Sequence, residues 1–131
     1  MTLDKLNPSA LPIPTGYSQV VVATGSRLVF VAGQVALDDE GTLIAPGDVV
    51  GQARQAFANL RAAIEAAGAS IDDVVKITWY VVGYRPELLP ELAAARSEML
   101  QGHAPASTLV GVSALAQPHF LIEVEADAVT D

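Results

Sequence analysis

The stretch DVVGQARQAFANLRAAIEAAG, residues 48–68, followed closely by VVKITWYVV, residues 74–82, indicates the fold of this chain. In the first segment apolar residues recur at spacings of three and four, which is typical of a surface helix with one buried face. The stripe consists of Val50, Ala53, Phe57, Leu60, Ile64 and Ala67, and it leaves out Gln52, Arg54, Asn59, Arg61 and Glu65. We predict a helix from Asp48 to Ala67, with Asp48 as its N-cap and Gly68 as its C′ residue.

The segment 74–82 is predicted to be a central strand, because β-branched and aromatic residues dominate it. Alternate residues of a strand point to opposite faces of the sheet. Trp79 and Tyr80 therefore point to opposite sides, and we expect one in the core and the other at an interface or in a pocket.

The other elements follow from local patterns. Two strands, 17–23 and 27–32, read as a hairpin around Thr24-Gly25-Ser26, and residues 86–100 read as a helix that begins or is distorted at Pro90. Two more strands are predicted at 107–114 and 120–129. The order ββαβαββ predicts one α+β domain over residues 1–131, a two-layer sandwich of a mixed sheet with two helices on one face.

The last predicted strand carries three carboxylates on one face: Glu123, Glu125 and Asp127. They cannot be buried without partners, so this sheet face is expected to be wet, ion-paired or part of a subunit interface. Lys76 is a possible cross-strand partner. From the residues alone, Glu123 reads more readily as part of a solvated face than as a catalytic group.

Charge and hydropathy exclude several classes of partner. The chain has 7 Lys+Arg against 15 Asp+Glu, a formal charge of −8 that repels nucleic acid. It has no basic cluster for an anionic bilayer and no apolar run of membrane-span length. The first fourteen residues do not read as a signal peptide, so we expect a cytoplasmic protein.

No cofactor or metal is expected from the sequence. The chain has no cysteine and two histidines, His103 and His119, which are too few ligands for a metal site. It contains no glycine-rich phosphate-binding motif. The charge and the lack of a His or Lys constellation also disfavour ribonuclease activity.

Five short motifs occur in the same order as in a known family. Five separate matches in one order are more informative than any single motif. They are Val31-Ala32-Gly33-Gln34, Gln52-Ala53-Arg54-Gln55-Ala56, Val74-Val75-Lys76, Pro105-Ala106-Ser107-Thr108 and Ile122-Glu123-Val124-Glu125-Ala126. Through them the chain resembles the RidA/YjgF family, formerly called endoribonuclease L-PSP, over roughly residues 14–129. The resemblance implies a chorismate-mutase-like fold, a homotrimer, and a small-molecule cleft between each pair of neighbouring subunits.

The resemblance also implies the residues of that cleft. In the family's deaminases a glutamate at the position of Glu123 positions the water that attacks an imine carbon. A tyrosine at the position of Tyr17 borders the cleft. An arginine in the strand near Pro105 binds the substrate carboxylate. Its guanidinium group can donate two parallel hydrogen bonds, which fix the orientation of the substrate.

That arginine is absent here, since no Lys or Arg follows Arg96. The hydroxyls of Ser107 and Thr108 can each donate a hydrogen bond to a substrate, but neither replaces a planar cation. As a hypothesis, Arg85 supplies a cation from another wall of the cleft. The other interpretation of Arg85 is a solvated loop residue.

Three functions remain open from the sequence. The first is a hydrolase or deaminase acting on a small imine, enamine or related metabolite, but not a standard 2-iminoacid deaminase. The second is a trimer that binds a small ligand without chemistry. The third is a specialised pathway enzyme on the same scaffold.

Overall fold

The helix and the strand that dominate the sequence are both present in the computed structural model, which describes residues 1–131. Helix α1 extends over Val49–Ala66, and strand β4 over Val74–Val82. The carboxylate of Asp48 accepts a hydrogen bond from the backbone nitrogen of Gly51 at 3.0 Å, so Asp48 is the N-cap. Gly68, with φ of +77°, lies just past the end of the helix as predicted.

Gln52 lies outside the apolar stripe, so the pattern predicts that it is off the buried face of the helix. This prediction is wrong, because Gln52 is fully buried, at 0% exposure. Its Nε2 donates to the carbonyls of Ala45 at 3.3 Å and His119 at 3.2 Å. Its Oε1 accepts from the backbone nitrogen of Leu121 at 2.9 Å. Periodicity places residues by hydropathy alone, whereas Gln52 is buried as the hydrogen-bonding partner of two loops.

The predicted two-layer architecture is confirmed. Strands β3 (Arg27–Gln34), β5 (Ala106–Val112) and β6 (Ile122–Thr130) join β4 in a sheet of order β3-β6-β4-β5. The β4–β5 pair is parallel and the other pairs are antiparallel, so the sheet is mixed. Helix α2 (Leu89–Leu100) follows a short 3-10 turn and carries Pro90 in its first turn, and both helices pack on one face.

A core of 19 buried residues lies between the sheet and the two helices. Alternate residues of β4 and β6 enter it, and the ring of Trp79 meets that of Phe57 edge to face at 5.8 Å. Trp79 is therefore the core aromatic of β4. Tyr80 lies on the opposite face, as the alternation predicts.

The predicted N-terminal hairpin is wrong in its pairing. Strand β2 (Val20–Thr24) pairs with an additional strand β1 (Thr2–Leu6) in a separate two-stranded antiparallel sheet, and it does not pair with β3. The element order is thus βββαβαββ. A local pattern identifies an extended segment but not its partner, and β1, which is not among the predicted strands, pairs with β2 over five residues.

The sheet face opposite the helices is uncovered in a single chain. Leu28 and Phe30 on β3 are 65% and 74% exposed, and the carboxylates of β6 are partly buried beside them. On this outer face the Tyr80 hydroxyl donates a hydrogen bond of 2.7 Å to Glu125. No helix has both the length and the apolar character needed to cross a membrane.

Candidate functional site

A cavity of about 650 Å³ lies on the helix side of the sheet, between β5 and α2. Its walls are mostly apolar or aromatic, with few polar groups, which is the usual character of a small-molecule site. The lining residues are Thr15, Tyr17, Trp79, Tyr84, Pro86, Leu89, Pro90, Ala93, Arg96, Ser107 and Leu109. This cavity is the candidate functional site.

The fold brings Tyr17 and Ser107 together in this cavity although ninety residues separate them. The chain next to Tyr17 is anchored beside β5, because the backbone nitrogen of Ser18 donates to the Pro105 carbonyl at 3.0 Å and its hydroxyl to the Ala104 carbonyl at 2.6 Å. Two predicted site residues therefore share one wall.

Two predicted site residues, Thr108 and Arg85, do not line the cavity. Thr108 follows Ser107 on β5, so it points to the outer face, where it is exposed and lies opposite Thr78. Arg85 is exposed and makes no ion pair, while its neighbours Tyr84 and Pro86 line the cavity.

The cation of the cavity is Arg96, which the sequence reading did not single out. It projects from α2, is 7% exposed, and its Cζ lies 5.4 Å from the centre of the Trp79 ring. A Cβ on Gly16, whose φ is +76°, would collide with the guanidinium. Glycine at this position thus permits both the backbone conformation and the close approach of Arg96.

Glu123 lies on the outer face of the sheet and does not line the cavity. Its carboxyl group packs directly against Gly33, where a Cβ would approach its Cδ to 2.7 Å. Glu123 makes no hydrogen bond or ion pair, whereas Glu125 is held by Tyr80. The hydrogen bond to Glu125, with burial and the charges of Glu125 and Glu123, raises the pKa of Tyr80.

Comparison with known proteins agrees with this architecture. The family model described as endoribonuclease L-PSP matches residues 8–130 of the chain. The chain belongs to the RidA/YjgF family.

Individual relatives within the family support the assignment. A RutC family protein of Pyrococcus horikoshii is 36% identical over 118 residues, covering 89% of this chain and 90% of that protein. A 2-iminobutanoate/2-iminopropanoate deaminase of Dermatophagoides farinae is 31% identical over 121 residues, covering 92% and 91%. The crystal structure of a Rid-family protein of unknown function from Yersinia pestis superimposes with a TM-score of 0.92 at 36% identity, covering 98% and 99%.

The histidines of this RidA-family chain have structural positions. His103 is buried, and its Nε2 lies 2.7 Å from the carbonyl of Val74. His119 is exposed and meets the Phe120 ring edge to face at 5.1 Å. No group of three His, Cys, Asp or Glu side chains lies close enough to hold a metal ion.

Two residues that were not predicted as site residues nevertheless have signals in the sequence. Arg96 follows Leu92 by four positions and precedes Met99 by three, so helical spacing already places it on the buried face of α2. Gly33 belongs to the motif Val31-Ala32-Gly33-Gln34. A residue without a side chain is required there because the carboxyl group of Glu123 lies against it. In both cases the signal is local, but the partner is distant in sequence.

Proposed function

We propose that this chain is a homotrimeric RidA-family hydrolase that cleaves the C=N bond of an imine, or of the enamine in equilibrium with it. The observation that carries this proposal is the free carboxylate of Glu123, partly buried against Gly33 and without a hydrogen bond or ion pair. A general acid/base needs such a group with its lone pairs available. Its neighbour Glu125 is already engaged by Tyr80.

The complete site is composed of two subunits in this proposal. Tyr17 and Ser107 line the cavity on the helix side, whereas Glu123 lies on the outer face of the same chain. A neighbouring copy that covers the exposed outer face of one subunit can present its own cavity to that subunit's Glu123. A site shared between subunits explains why one chain alone does not unite the predicted residues.

The reaction follows from the residues. Water adds to the carbon of the protonated imine while Glu123 accepts one of its protons, giving a neutral carbinolamine. The same carboxyl group returns that proton to nitrogen, the C–N bond breaks as the hydroxyl oxygen forms the C=O bond, and the hydroxyl proton leaves with ammonia as ammonium, beside the carbonyl compound. The relatives named 2-iminobutanoate/2-iminopropanoate deaminases support this reaction class.

The direct test is ammonia release from imines generated in the assay by an amino-acid oxidase or a dehydratase. We expect the wild-type protein to increase the rate above that of the protein-free reaction. The panel should include the imines of 2-oxobutanoate, 4-methyl-2-oxopentanoate and phenylpyruvate, so that side-chain size is varied. No acceleration for any of them would contradict hydrolysis and leave a binding function for the cleft.

The trimer has a test of its own. Phe30→Asp places a charge beside the exposed Leu28 on edge strand β3 of the outer face, where Phe30 is 74% exposed. We expect sedimentation to show the 13.6 kDa chain as a monomer instead of a trimer, with loss of hydrolysis. Ala62→Asp is the control, since Ala62 is exposed on helix α1, on the other side of the sheet; a Phe30→Asp variant that remains trimeric would contradict the interface.

A further inference from the structure

The segment between β4 and α2, residues 83–88, forms one side of the candidate cavity and is weakly attached to the rest of the molecule. Tyr84 and Pro86 line the cavity, and Leu89, the first residue of α2, continues the same wall. No residue of the segment is buried, and none of its side chains makes an ion pair. Segments with few buried contacts are those that open locally in folded proteins.

The backbone of the segment is equally free of ties to the sheet. The last hydrogen bond of β4 runs from the Val82 amide to the Leu121 carbonyl at 2.9 Å. The amides of residues 83–85 then donate to no backbone carbonyl, and the amide of Leu88 donates to the Arg85 carbonyl at 2.9 Å, within the segment itself. The segment is therefore a small unit with its own 3-10 turn and can move without breaking bonds to its neighbours.

Both ends of the segment allow such a movement. Gly83 has a φ of +66°, and a Cβ built on it would meet nothing within 4 Å, so its backbone has room to rotate. At the other end Leu88 precedes α2 without a capping hydrogen bond from its side chain, and Pro90 in the first turn has no amide hydrogen. Hinges are commonly a few residues of this kind at the ends of elements.

One contact holds the segment against the cavity. A Cβ built on Gly111 of β5 would lie 3.4 Å from the Cβ of Tyr84, so glycine at this position allows Tyr84 to approach the strand closely. Tyr84 and Leu88 also pack against the core cluster that contains Trp79. Trp79 lines the cavity and is only 2% exposed, so its ring is closed off while Tyr84 rests on Gly111.

We propose that residues 83–88 form a lid of the candidate cavity, which swings on Gly83 and is latched by the contact between Tyr84 and Gly111. Opening of the lid exposes the Trp79 ring to an entering ligand, and closing excludes water from the occupied cavity. The proposal concerns access to the cavity and is independent of the reaction that takes place there.

A reversible disulfide tests the latch, because the chain has no cysteine of its own. Tyr84→Cys combined with Gly111→Cys brings together two Cβ atoms whose separation of 3.4 Å is close to that found in disulfides. Under a mild oxidant we expect the pair to cross-link and hold the lid closed, and a reductant should release it. Thiol titration detects the bond, and a folded double variant that does not cross-link would overturn the contact.

Acrylamide quenching of tryptophan fluorescence reports the position of the lid, since Trp79 is the one tryptophan of the chain. We expect the bimolecular quenching constant, obtained from fluorescence lifetimes, to be at least about threefold lower in the oxidised double variant than in the same protein after reduction. Each single-cysteine variant under the same oxidant is the control, with a constant that reduction leaves unchanged. Equal constants in the oxidised and reduced double variant would show that the segment does not gate the cavity.

Gly111→Leu tests the lid in the opposite direction and without a disulfide. The new side chain would meet Tyr84, and displacing Tyr84 should raise the quenching constant at least about threefold above wild type. Val110→Leu is the matched control, because Val110 is adjacent on β5 and points to the other face of the sheet. A wild-type constant in Gly111→Leu would contradict the latch. Neither measurement uses substrate, so both stand apart from whether the chain hydrolyses imines.

Discussion

Replacing Glu123 by Gln is expected to lower the rate of imine hydrolysis by about a hundredfold or more, because general acid/base groups contribute on the order of 10²–10⁴ in rate. The substitution keeps the size of the side chain and its position against Gly33, and removes the ability to accept and return a proton. Because Glu123 makes no hydrogen bond or ion pair in the chain, folding should be unaffected. The measurement is ammonia release per subunit under saturating substrate.

The control for this prediction lies two residues away on the same strand. Glu125→Gln keeps an acceptor for the Tyr80 hydroxyl, and we expect its rate to remain within a few-fold of wild type. Circular dichroism and sedimentation should be unchanged for both variants. If Glu123→Gln hydrolyses imines at the wild-type rate, Glu123 has no part in the chemistry.

Replacing Gln52 by Leu is expected to destabilise the fold by about 2–4 kcal/mol, since an unsatisfied buried polar group costs about 1–3 kcal/mol. The substitution replaces the side-chain amide by an apolar group of similar size, and it leaves the Leu121 amide and the carbonyls of Ala45 and His119 without their Gln52 partner. Urea denaturation of the two proteins at equal concentration measures the difference in the free energy of unfolding.

Gln55→Leu is the matched control for this second prediction. Gln55 is only partly buried on the same helix, and its side chain donates a single hydrogen bond of 2.9 Å to Asn59. We expect its cost to be below about 1 kcal/mol. A Gln52→Leu variant at least as stable as wild type would show that hydrophobic burial at this position outweighs the lost hydrogen bonds.

The elements with strong periodicity could be predicted from the sequence to within a residue or two. Helix α1 and strand β4 each bury one well-defined face, so hydropathy spacing and end signals such as Asp48 report their extent directly. The exclusion of the β6 carboxylates from the core follows from the same argument. The pairing of β2 could not be predicted in this way, because strand partners are chosen by long-range contacts.

The candidate site was only partly predictable for the same reason. Tyr17 and Ser107 were identified through family resemblance, and the structure places both on one cavity. Alternation along β5 is a sequence property, and it already separates Ser107 from Thr108. Helical spacing places Arg96 on the buried face of α2, but its contact with Trp79 joins a helix to a central strand and cannot be predicted from the local pattern.

The sequence by itself determined the two-layer class, the order of the periodic elements, the acidic face of β6 and the absence of any Lys or Arg after Arg96. These features depend on hydropathy and charge along short segments. Only the tertiary structure decided that Gln52 is buried, that Glu123 is free against Gly33, and that the cation of the cavity comes from α2. Each of those depends on contacts between segments far apart in the chain, where packing and hydrogen-bond satisfaction override the local pattern.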